Sequence, residues 1–350
     1  MREIIITSND AGRRLDRFLR KYLPGASLGE VYKMIRKDVK VDSKRRNESY
    51  MLSEGETLTL YLSDETLTAL GVSDRDGHGD SPPGRKKTRR SFTIVYEDDA
   101  VLIANKPYGL LTHGDSREKK DHLANQVKDW LIAEGAYDPR SERVFSPAPV
   151  NRLDRNTTGL VLFGKTAASM RGLSRMIRED DIRKRYLTIA CGEISEELHL
   201  SGNLTKDEAA NRVTVTERSV RNGHGDASPG QKEIETEVRP LEVLRFGDGL
   251  AATLCEVGLL TGRTHQIRAH LASAGHPLIG DSKYAVPSAR GVNRYMKERF
   301  GLTTQLLHAF RLEFAEELPD DEGLGYLAGR SFEAAPPERF AKILKGLKNS

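Results

Sequence analysis

Cysteine and long apolar runs are scarce in this sequence. Its 350 residues contain two cysteines, Cys191 and Cys255, which cannot form a disulfide framework or a complete zinc ligand set. No stretch approaches the ~20 consecutive apolar residues that a transmembrane helix needs. The first residues lack the basic start, the longer apolar region and the cleavage site of a signal peptide. We therefore expect a cytoplasmic protein that does not contact a membrane, and by default a monomer.

Net charge is also low, but charge is unevenly distributed. The formal charge is +4, which by itself does not indicate a nucleic-acid partner. Between Arg13 and Arg46, however, there are twelve Lys or Arg residues and only four acidic residues. A one-signed excess on a short segment is typical of a phosphate-binding surface, and a solvated charged surface is the alternative. The residues that we expect to bind RNA are Arg13, Arg14, Arg17, Lys33, Arg36, Lys37, Lys44, Arg45 and Arg46.

Residues 1–63 are predicted to form a small α+β domain. The apolar run 4–6 predicts a strand, and the apolar spacing over 15–23 predicts a helix. Ser27 and Glu30 have the spacing of a capping box at the start of a second helix. Short strands with alternating apolar residues follow this helix.

The same segment resembles a known RNA-binding module. The matching residues are Arg14-Leu15-Asp16-Arg17-Phe18-Leu19, Tyr32-Lys33-Met34-Ile35-Arg36-Lys37, Val39-Lys40-Val41-Asp42 and Leu52-Ser53-Glu54-Gly55-Glu56. They are similar to the αL-type domain that is named after a small-subunit ribosomal protein. The resemblance implies docking on structured RNA by charge and shape, with little reading of bases.

Residues 64–91 are predicted to be a flexible, basic linker because they are rich in turn-forming residues and poor in apolar ones. Residues 221–232 nearly repeat part of this string, and we expect them to form the tip of a hairpin. Both copies contain Gly-His-Gly-Asp, which raises the question of metal binding. Two isolated histidines do not make a ligand set, so we expect no metal there.

Residues 92–350 are predicted to form a second domain, organised around Asn151-Arg152-Leu153-Asp154-Arg155-Asn156-Thr157-Thr158-Gly159-Leu160. The prolines before this stretch and the apolar run after it place Asp154 on a loop that leads into a buried strand. The adjacent arginines favour the ionised carboxylate, as a nucleophile or a general base requires. A structural salt bridge explains these residues equally well when they are taken alone.

A second cluster lies in residues 254–281. It predicts a strand, a turn at Thr261-Gly262, and a helix that carries Arg268. Three histidines at 265, 270 and 276 suggest zinc, but their intervals differ from the i, i+4 pair of a helical zinc site, and Pro277 ends the helix. The basic and amide side chains nearby are better suited to phosphate and to Asp154.

Five motifs occur in order within about residues 92–315. They are Lys106-Pro107-x-Gly109, Arg152-Leu153-Asp154-x-x-Thr157-Thr158-Gly159, Lys184-x-Tyr186, Gly262-Arg263-Thr264-His265-Gln266-Ile267-Arg268 and Leu307-His308-Ala309. Together they resemble the RluA class of pseudouridine synthases. The resemblance implies an α+β fold with a mixed, mostly antiparallel central sheet, flanking helices and a cleft across its middle. It also implies that uridine within an RNA is cut at its glycosidic bond and rejoined through carbon 5, without cofactor or metal.

The resemblance assigns roles to individual residues. Asp154 matches the catalytic aspartate, Arg268 the arginine that pairs with it, and Tyr186 the tyrosine that packs on the target base and assists proton removal from carbon 5. Arg152 matches the arginine that holds the uridine out of its stack. The further residues expected to bind substrate are Lys106, Arg263, His265 and Gln266. The chain departs from the family pattern at Asn151, usually His, and at Thr158, where Ser is commoner, so we expect altered positioning rather than lost activity.

The expected substrate is large-subunit ribosomal RNA, with transfer RNA as the alternative. A non-catalytic RNA-binding or ribosome-assembly protein on the same scaffold is the competing function. A glycoside hydrolase would need two opposed carboxylates, and only Asp154 lies in a motif.

Overall fold

The structure is a computed structural model. It describes residues 1–72, 89–139, 142, 144–207, 212–217, 231–247, 249–320 and 322–350. Within these ranges, no helix is both long enough and apolar enough to cross a membrane.

The N-terminal part is a three-stranded antiparallel sheet in the order β1-β3-β2, covered by two helices. Its elements are β1 Arg2–Ile5, α1 Leu15–Tyr22, α2 Leu28–Lys37, β2 Val39–Val41, β3 Thr57–Leu60 and α3 Asp64–Ala69. The predicted capping box is confirmed, since the Ser27 hydroxyl accepts from the Glu30 amide and the Glu30 carboxylate accepts from the Ser27 amide. It satisfies two amides at the start of α2 that the helix leaves unpaired.

The start of the predicted linker is part of this N-terminal unit. Residues 64–69 form α3, and Leu67 and Val72 are buried in the core of the small sheet. Their apolar side chains explain why residues 64–72 are ordered against the core rather than extended as a tether. Residues 73–88, which include the first Gly-His-Gly-Asp copy, lie outside the described residues.

The small sheet contacts the larger part of the molecule through a few side chains. Asn9 Nδ2 donates to Glu142 Oε2 at 2.6 Å, and Asn9 Oδ1 accepts from the backbone amide of Ala167 at 2.8 Å. Val144 is fully buried in the core of the small sheet. These contacts connect the basic N-terminal unit to the helix that follows the Asp154 loop.

The rest of the described chain forms an eleven-stranded sheet with helices on both faces. Its strands are β4 Thr93–Glu97, β5 Val101–Lys106, β6 Ala148–Pro149, β7 Thr158–Gly164, β8 Ile182–Cys191, β9 Leu198–Asp207, β10 Arg212–Glu217, β11 Lys232–Phe246, β12 Leu250–Leu259, β13 Leu307–Phe314 and β14 Ser331–Glu333. Its helices are α4 Leu123–Ala133, α5 Ala167–Arg178, α6 Gln266–Ser273, α7 Arg290–Phe300 and α8 Glu338–Lys348.

The main path through the sheet is β10-β9-β11-β12-β8-β13-β7-β5-β4, with β14 paired to β13 and β6 to β7. Among the described strands, β13 and β7 are the parallel pair and the other pairs are antiparallel. The predicted α+β class and mixed, mostly antiparallel sheet are therefore confirmed. Alternating side chains build the two cores: Leu102 and Ala104 pack with α4 and α6, whereas Val101 and Ile103 pack with α5 on the opposite face.

β13 lies centrally in the sheet, between β8 and β7. Strand order depends on long-range pairing, which a local pattern does not show. For this reason the hairpin expected around 221–232 is wrong: it would pair β10 with β11, but β9 lies between these two strands. Residues 218–230 themselves, including the second Gly-His-Gly-Asp copy, lie outside the described residues.

Gly159 permits the close approach of β7 and β13. Its φ is +110°, and a Cβ at this position would be 2.1 Å from the Ala309 carbonyl oxygen. No side chain fits at that distance, so the parallel pairing beside the Asp154 loop requires glycine.

We predict that Gly159→Ala lowers the free energy of unfolding by about 3 kcal/mol or more, because overpacking and a left-handed backbone act together. Urea unfolding measures the change. Gly29→Ala is the control, since Gly29 lies in α2 with no atom within 4 Å of a built Cβ, and it should be neutral or stabilising by under ~1 kcal/mol. Equal stability of the two variants would contradict the close-approach argument.

Candidate active site

The Asp154 loop joins β6 to β7 and is braced by backbone hydrogen bonds. The Thr112 hydroxyl donates to the Leu153 carbonyl at 2.9 Å, and the Leu153 amide donates back to it at 3.1 Å. The Thr157 amide donates to the Asp154 carbonyl at 3.1 Å, and the Gly109 amide to the Arg155 carbonyl at 3.0 Å. The loop that follows β5 therefore fixes the backbone on both sides of Asp154.

Lys106 belongs to this brace and does not line the cavity. It is fully buried, and its Nζ donates to the carbonyls of Pro107, Leu110 and Arg155 at 3.1, 2.7 and 3.0 Å. Burial lowers its pKa to about 7, while the nearby carboxylate of Asp154 opposes that shift. The predicted contact between Lys106 and substrate is corrected here, because all three ammonium protons are directed at backbone carbonyls.

Both departures from the family pattern have structural partners. Asn151 Oδ1 accepts from the Leu162 amide at 2.8 Å, so its side chain attaches the loop to β7. The Thr158 hydroxyl is 2.8 Å from His308 Nδ1, and His308 Nε2 is 2.9 Å from the Ala334 carbonyl. Since that carbonyl only accepts, His308 donates from Nε2 and accepts the Thr158 proton at Nδ1. A serine hydroxyl could make the same bond.

Arg268 connects two carboxylates. Its Nη1 donates to Asp154 Oδ2 at 3.0 Å, while Nε and Nη2 donate to the two oxygens of Asp281 at 2.7 and 3.0 Å. Arg268 and Asp281 are buried, whereas the Asp154 side chain is 25% exposed. Burial by itself would lower the pKa of Arg268, but the hydrogen bonds and charges of Asp281 and Asp154 outweigh it and raise that pKa. The predicted pairing of Arg268 with Asp154 is present in the geometry.

Asp154 opens into a cavity of about 700 Å³ at the middle of the sheet. This is the predicted cleft, and its volume is within the range of small-molecule sites. Tyr186 on β8 lines it and is 5% exposed. Burial, with a smaller contribution from the charge of Asp154, raises the pKa of Tyr186, so the ring is a neutral phenol.

The other predicted substrate residues fall into two groups. Arg152 and Arg263 are exposed and lie on the cavity wall. Gln266 is buried: its Oε1 accepts from the Thr261 hydroxyl and the Arg263 amide, and its Nε2 donates to the Glu235 carbonyl. Its amide is thus used to shape the turn before α6 rather than left for a ligand.

The three histidines at 265, 270 and 276 have separate partners. His265 Nδ1 is 2.9 Å from the Tyr284 hydroxyl, His270 Nδ1 is 3.0 Å from the Thr236 hydroxyl, and His276 Nδ1 is 2.9 Å from the Cys191 carbonyl. The rings do not converge on one point, as metal ligands would.

Sequence reasoning missed Asp281 and Tyr284. Asp281 is 1% exposed and accepts from Arg268, from the Lys283 amide at 3.1 Å and from the Tyr284 amide at 3.3 Å. The Arg268 guanidinium lies over the Tyr284 ring, with its Cζ 5.1 Å from the ring centroid. A signal was available, since Asp281 is the first acid after Arg268 and follows a Gly, but spacing alone does not show which carboxylate the arginine reaches.

Comparison with known proteins gives the class of enzyme that the sequence motifs resemble. A sequence profile of RNA pseudouridylate synthases matches residues 100–273. The ribosomal large subunit pseudouridine synthase C of Escherichia coli K12 is 32% identical over 333 residues, which cover 92% of this chain and 93% of that protein. Its counterpart in Vibrio cholerae is 31% identical over 313 residues, covering 89% and 88%.

A solved structure shares the fold. Human RNA pseudouridylate synthase domain containing 4 superposes with a TM-score of 0.53 at 19% identity and covers 73% of this chain and 92% of its own. The sequence relatives and the family profile show that the chain is a pseudouridine synthase. The chain belongs to the RluA class of this family, and it is an RNA pseudouridine synthase, an isomerase.

Asp281→Asn is expected to lower kcat roughly 100-fold. The substitution removes the negative charge that holds Arg268 in place, so the arginine can move away from Asp154. RNA affinity should change little, since Asp281 is buried behind the cavity. Single-turnover assays of tritium release from carbon 5 and filter binding measure the two quantities.

Glu333→Gln is the matched control. Glu333 also pairs with an arginine, Arg311, at 2.7 Å, but it is 58% exposed and lies on β14. An exposed pair contributes little, so this variant should retain wild-type kcat. If Asp281→Asn and Glu333→Gln lowered kcat equally, the contact between Asp281 and Arg268 would have no special importance for the reaction.

Proposed function

We propose that this enzyme isomerises uridines in large-subunit ribosomal RNA, and that Asp154 is the catalytic residue. The names of its relatives in Escherichia coli and Vibrio cholerae support the substrate. The observation that carries the catalytic assignment is the Asp154 carboxylate, held on Oδ2 by Arg268 at the wall of the cavity. We also propose a cytoplasmic, monomeric enzyme, and the buried, unpaired cysteines fit a reducing compartment.

Asp154 is arranged to act through one oxygen. Oδ2 accepts from Arg268, and no described residue hydrogen-bonds Oδ1. A carboxylate in this position can attack the ribose anomeric carbon or the base, or remove a ribose proton. These three routes share the same requirement, namely an ionised Asp154 aimed into the cavity.

Tyr186 is suited to pack on the uracil ring as a neutral phenol. It lies on β8 between β12 and β13, at the middle of the sheet. Because its pKa is raised, the phenol keeps its proton and is too weak a base to take the proton from carbon 5. We therefore assign base packing to Tyr186.

The cavity wall fits a flipped-out nucleotide with negatively charged neighbours. Arg152 and Arg263 are exposed on it, and Arg155 is half-exposed, 3.9 Å from Asp115. Flipping a base costs a few kcal/mol, which cationic side chains contacting the phosphates and the vacated space can offset. We propose that Arg152 holds the target uridine out of its stack and that Arg263 binds backbone phosphate.

Residues 1–72 are proposed to dock the RNA. Of the nine basic residues predicted for this role, Arg17, Lys33, Arg36, Lys37, Lys44 and Arg45 are exposed. Two of the others have partners: Arg14 makes a bidentate bond to Asp16, and the guanidinium of Arg46 lies 4.4 Å from the Tyr50 centroid. The exposed set on α2 and the following turn is therefore the better candidate for phosphate contacts.

Asp154→Asn tests the catalytic assignment. The amide is isosteric but cannot act as a nucleophile or a base, so product should be abolished, while the Kd for RNA should change by less than about fivefold. Turnover close to wild type would overturn the assignment. The measurements are tritium release from labelled RNA and filter binding.

The same variant identifies the substrate in cells. Carbodiimide-stopped primer extension should show pseudouridines in large-subunit ribosomal RNA that disappear when Asp154→Asn is the sole copy of the enzyme. Losses confined to transfer RNA would contradict the proposed substrate and leave the enzyme class untouched.

Neutralising Lys33, Arg36 and Lys37 to Gln should reduce the slope of log K against log salt by about 2 to 3, because each phosphate contact contributes ~0.7–0.9. As the control, Lys297, Arg299 and Lys345 to Gln removes the same charge from exposed positions on α7 and α8. An unchanged slope in the α2 variant would show that this helix does not bind phosphate.

A further inference from the structure

His265 lines the cavity beside Asp154. Its Nε2 is 3.7 Å from Asp154 Oδ2, and its Nδ1 is 2.9 Å from the Tyr284 hydroxyl oxygen. The two rings meet edge to face at 78°, with centroids 5.7 Å apart. One nitrogen is thus directed at the catalytic carboxylate and the other at a buried phenol.

The role of the Tyr284 hydroxyl is fixed by a backbone amide. The Val213 N–H on β10 donates to this oxygen at 3.0 Å, and Tyr284 is 4% exposed. An amide can only donate, so the tyrosine oxygen accepts there and has its own proton left to give. Within the described chain, His265 Nδ1 is the acceptor placed to receive that proton.

This arrangement selects one tautomer of the imidazole. If Nδ1 accepts from Tyr284, the neutral ring carries its proton on Nε2, directed toward the Asp154 carboxylate. The opposite tautomer would leave the buried phenol proton without an acceptor and turn a nitrogen lone pair toward a carboxylate oxygen. Both consequences are unfavourable, so two independent contacts support the same assignment.

The surroundings of His265 also favour the neutral ring, chiefly through burial. Burial lowers its pKa, and the cations Arg268 and Lys283 lower it further, whereas Asp154 and Asp281 act in the opposite direction. A neutral imidazole with its proton on Nε2 is a hydrogen-bond donor that does not cancel the charge of Asp154.

We propose that Tyr284 fixes His265 as the Nε2–H tautomer, and that His265 is a positioning residue that donates to Asp154 Oδ2 when RNA fills the cavity. The present 3.7 Å exceeds a hydrogen bond, and such contacts shorten in substrate complexes. With Oδ2 held by Arg268 and His265, Oδ1 is the oxygen directed at the nucleotide. The inference rests on the proposed catalytic role of Asp154.

Nitrogen NMR of the full-length enzyme labelled with ¹⁵N-histidine tests the tautomer without any assay of activity. The His265 signals, identified by their absence in His265→Asn, should show a protonated Nε2 and an unprotonated Nδ1 at neutral pH. Tyr284→Phe keeps the ring and removes the hydroxyl, so it should shift His265 toward a mixture of tautomers. A ring protonated mainly on Nδ1 in the wild type, or an unchanged ring in Tyr284→Phe, would overturn the proposal.

Two substitutions at His265 separate hydrogen bonding from folding. The amide of Gln reaches the position of Nε2, whereas the amide of Asn reaches only that of Nδ1. His265 has a left-handed backbone with φ of 55°, which Asn tolerates better than Gln. A donor role predicts that kcat falls roughly tenfold in His265→Gln and roughly 100-fold in His265→Asn, with KM within about threefold of wild type. A larger loss of kcat in His265→Gln than in His265→Asn would mean that residue 265 matters only for its left-handed backbone conformation, and not as a hydrogen-bond donor.

A double-mutant cycle shows whether Tyr284 acts through His265. Tyr284→Phe should lower kcat in the wild-type background and have no further effect in the His265→Asn background. If the two substitutions lower kcat additively, Tyr284 does not act on Asp154 through His265, and the proposal fails. If Asp154→Asn abolishes product while His265 carries its proton on Nδ1, the proposed function stands and this inference fails.

Discussion

One buried guanidinium, that of Arg268, holds the candidate active site together. It donates twice to Asp281 and once to Asp154, so a single cation pairs with a buried anion and with an anion that opens into the cavity. Breaking a buried ion pair leaves an uncompensated charge, which is far more costly than the loss of a surface pair. The planar fork of arginine is required, because a lysine ammonium could not reach both carboxylates in this geometry.

The fold serves this interaction by bringing distant segments to the middle of one sheet. Arg268 comes from the first turn of α6, Asp154 from the loop before β7, and Tyr186 from β8. The parallel approach of β13 to β7, which Gly159 permits, sets the Asp154 loop against the sheet. Lys106 and Thr112 then fix the loop backbone from inside, so the residues facing the cavity are left for RNA. Rigid support of this kind keeps the Asp154 carboxylate aimed into the cavity.

The ordered motifs predicted the class of fold, the place of Asp154 at the cleft and its pairing with Arg268, because these features depend on residue types at fixed positions. Burial and partner choice are set by long-range packing, which a motif does not contain. Lys106 was therefore expected to bind substrate, although its ammonium lies inside the protein, and Asp281 and Tyr284 were missed although they complete the site. The hairpin expected around 221–232 failed in the same way, since a local pattern does not show that β9 lies between β10 and β11. Local features such as the Ser27–Glu30 capping box were predicted correctly because all of their partners lie within one turn.

A crystal structure of the enzyme bound to an RNA fragment with 5-fluorouridine at the modified position tests the account most directly. Fluorine replaces the hydrogen that must leave carbon 5, so the reaction cannot finish and the nucleotide is retained. We expect the target nucleotide flipped into the cavity against Tyr186, with Asp154 Oδ1 in contact with its sugar or base and Arg268 still bridging Asp154 and Asp281. A target uridine stacked in the RNA, or an Arg268 that has left Asp154 to bind phosphate, would contradict the account.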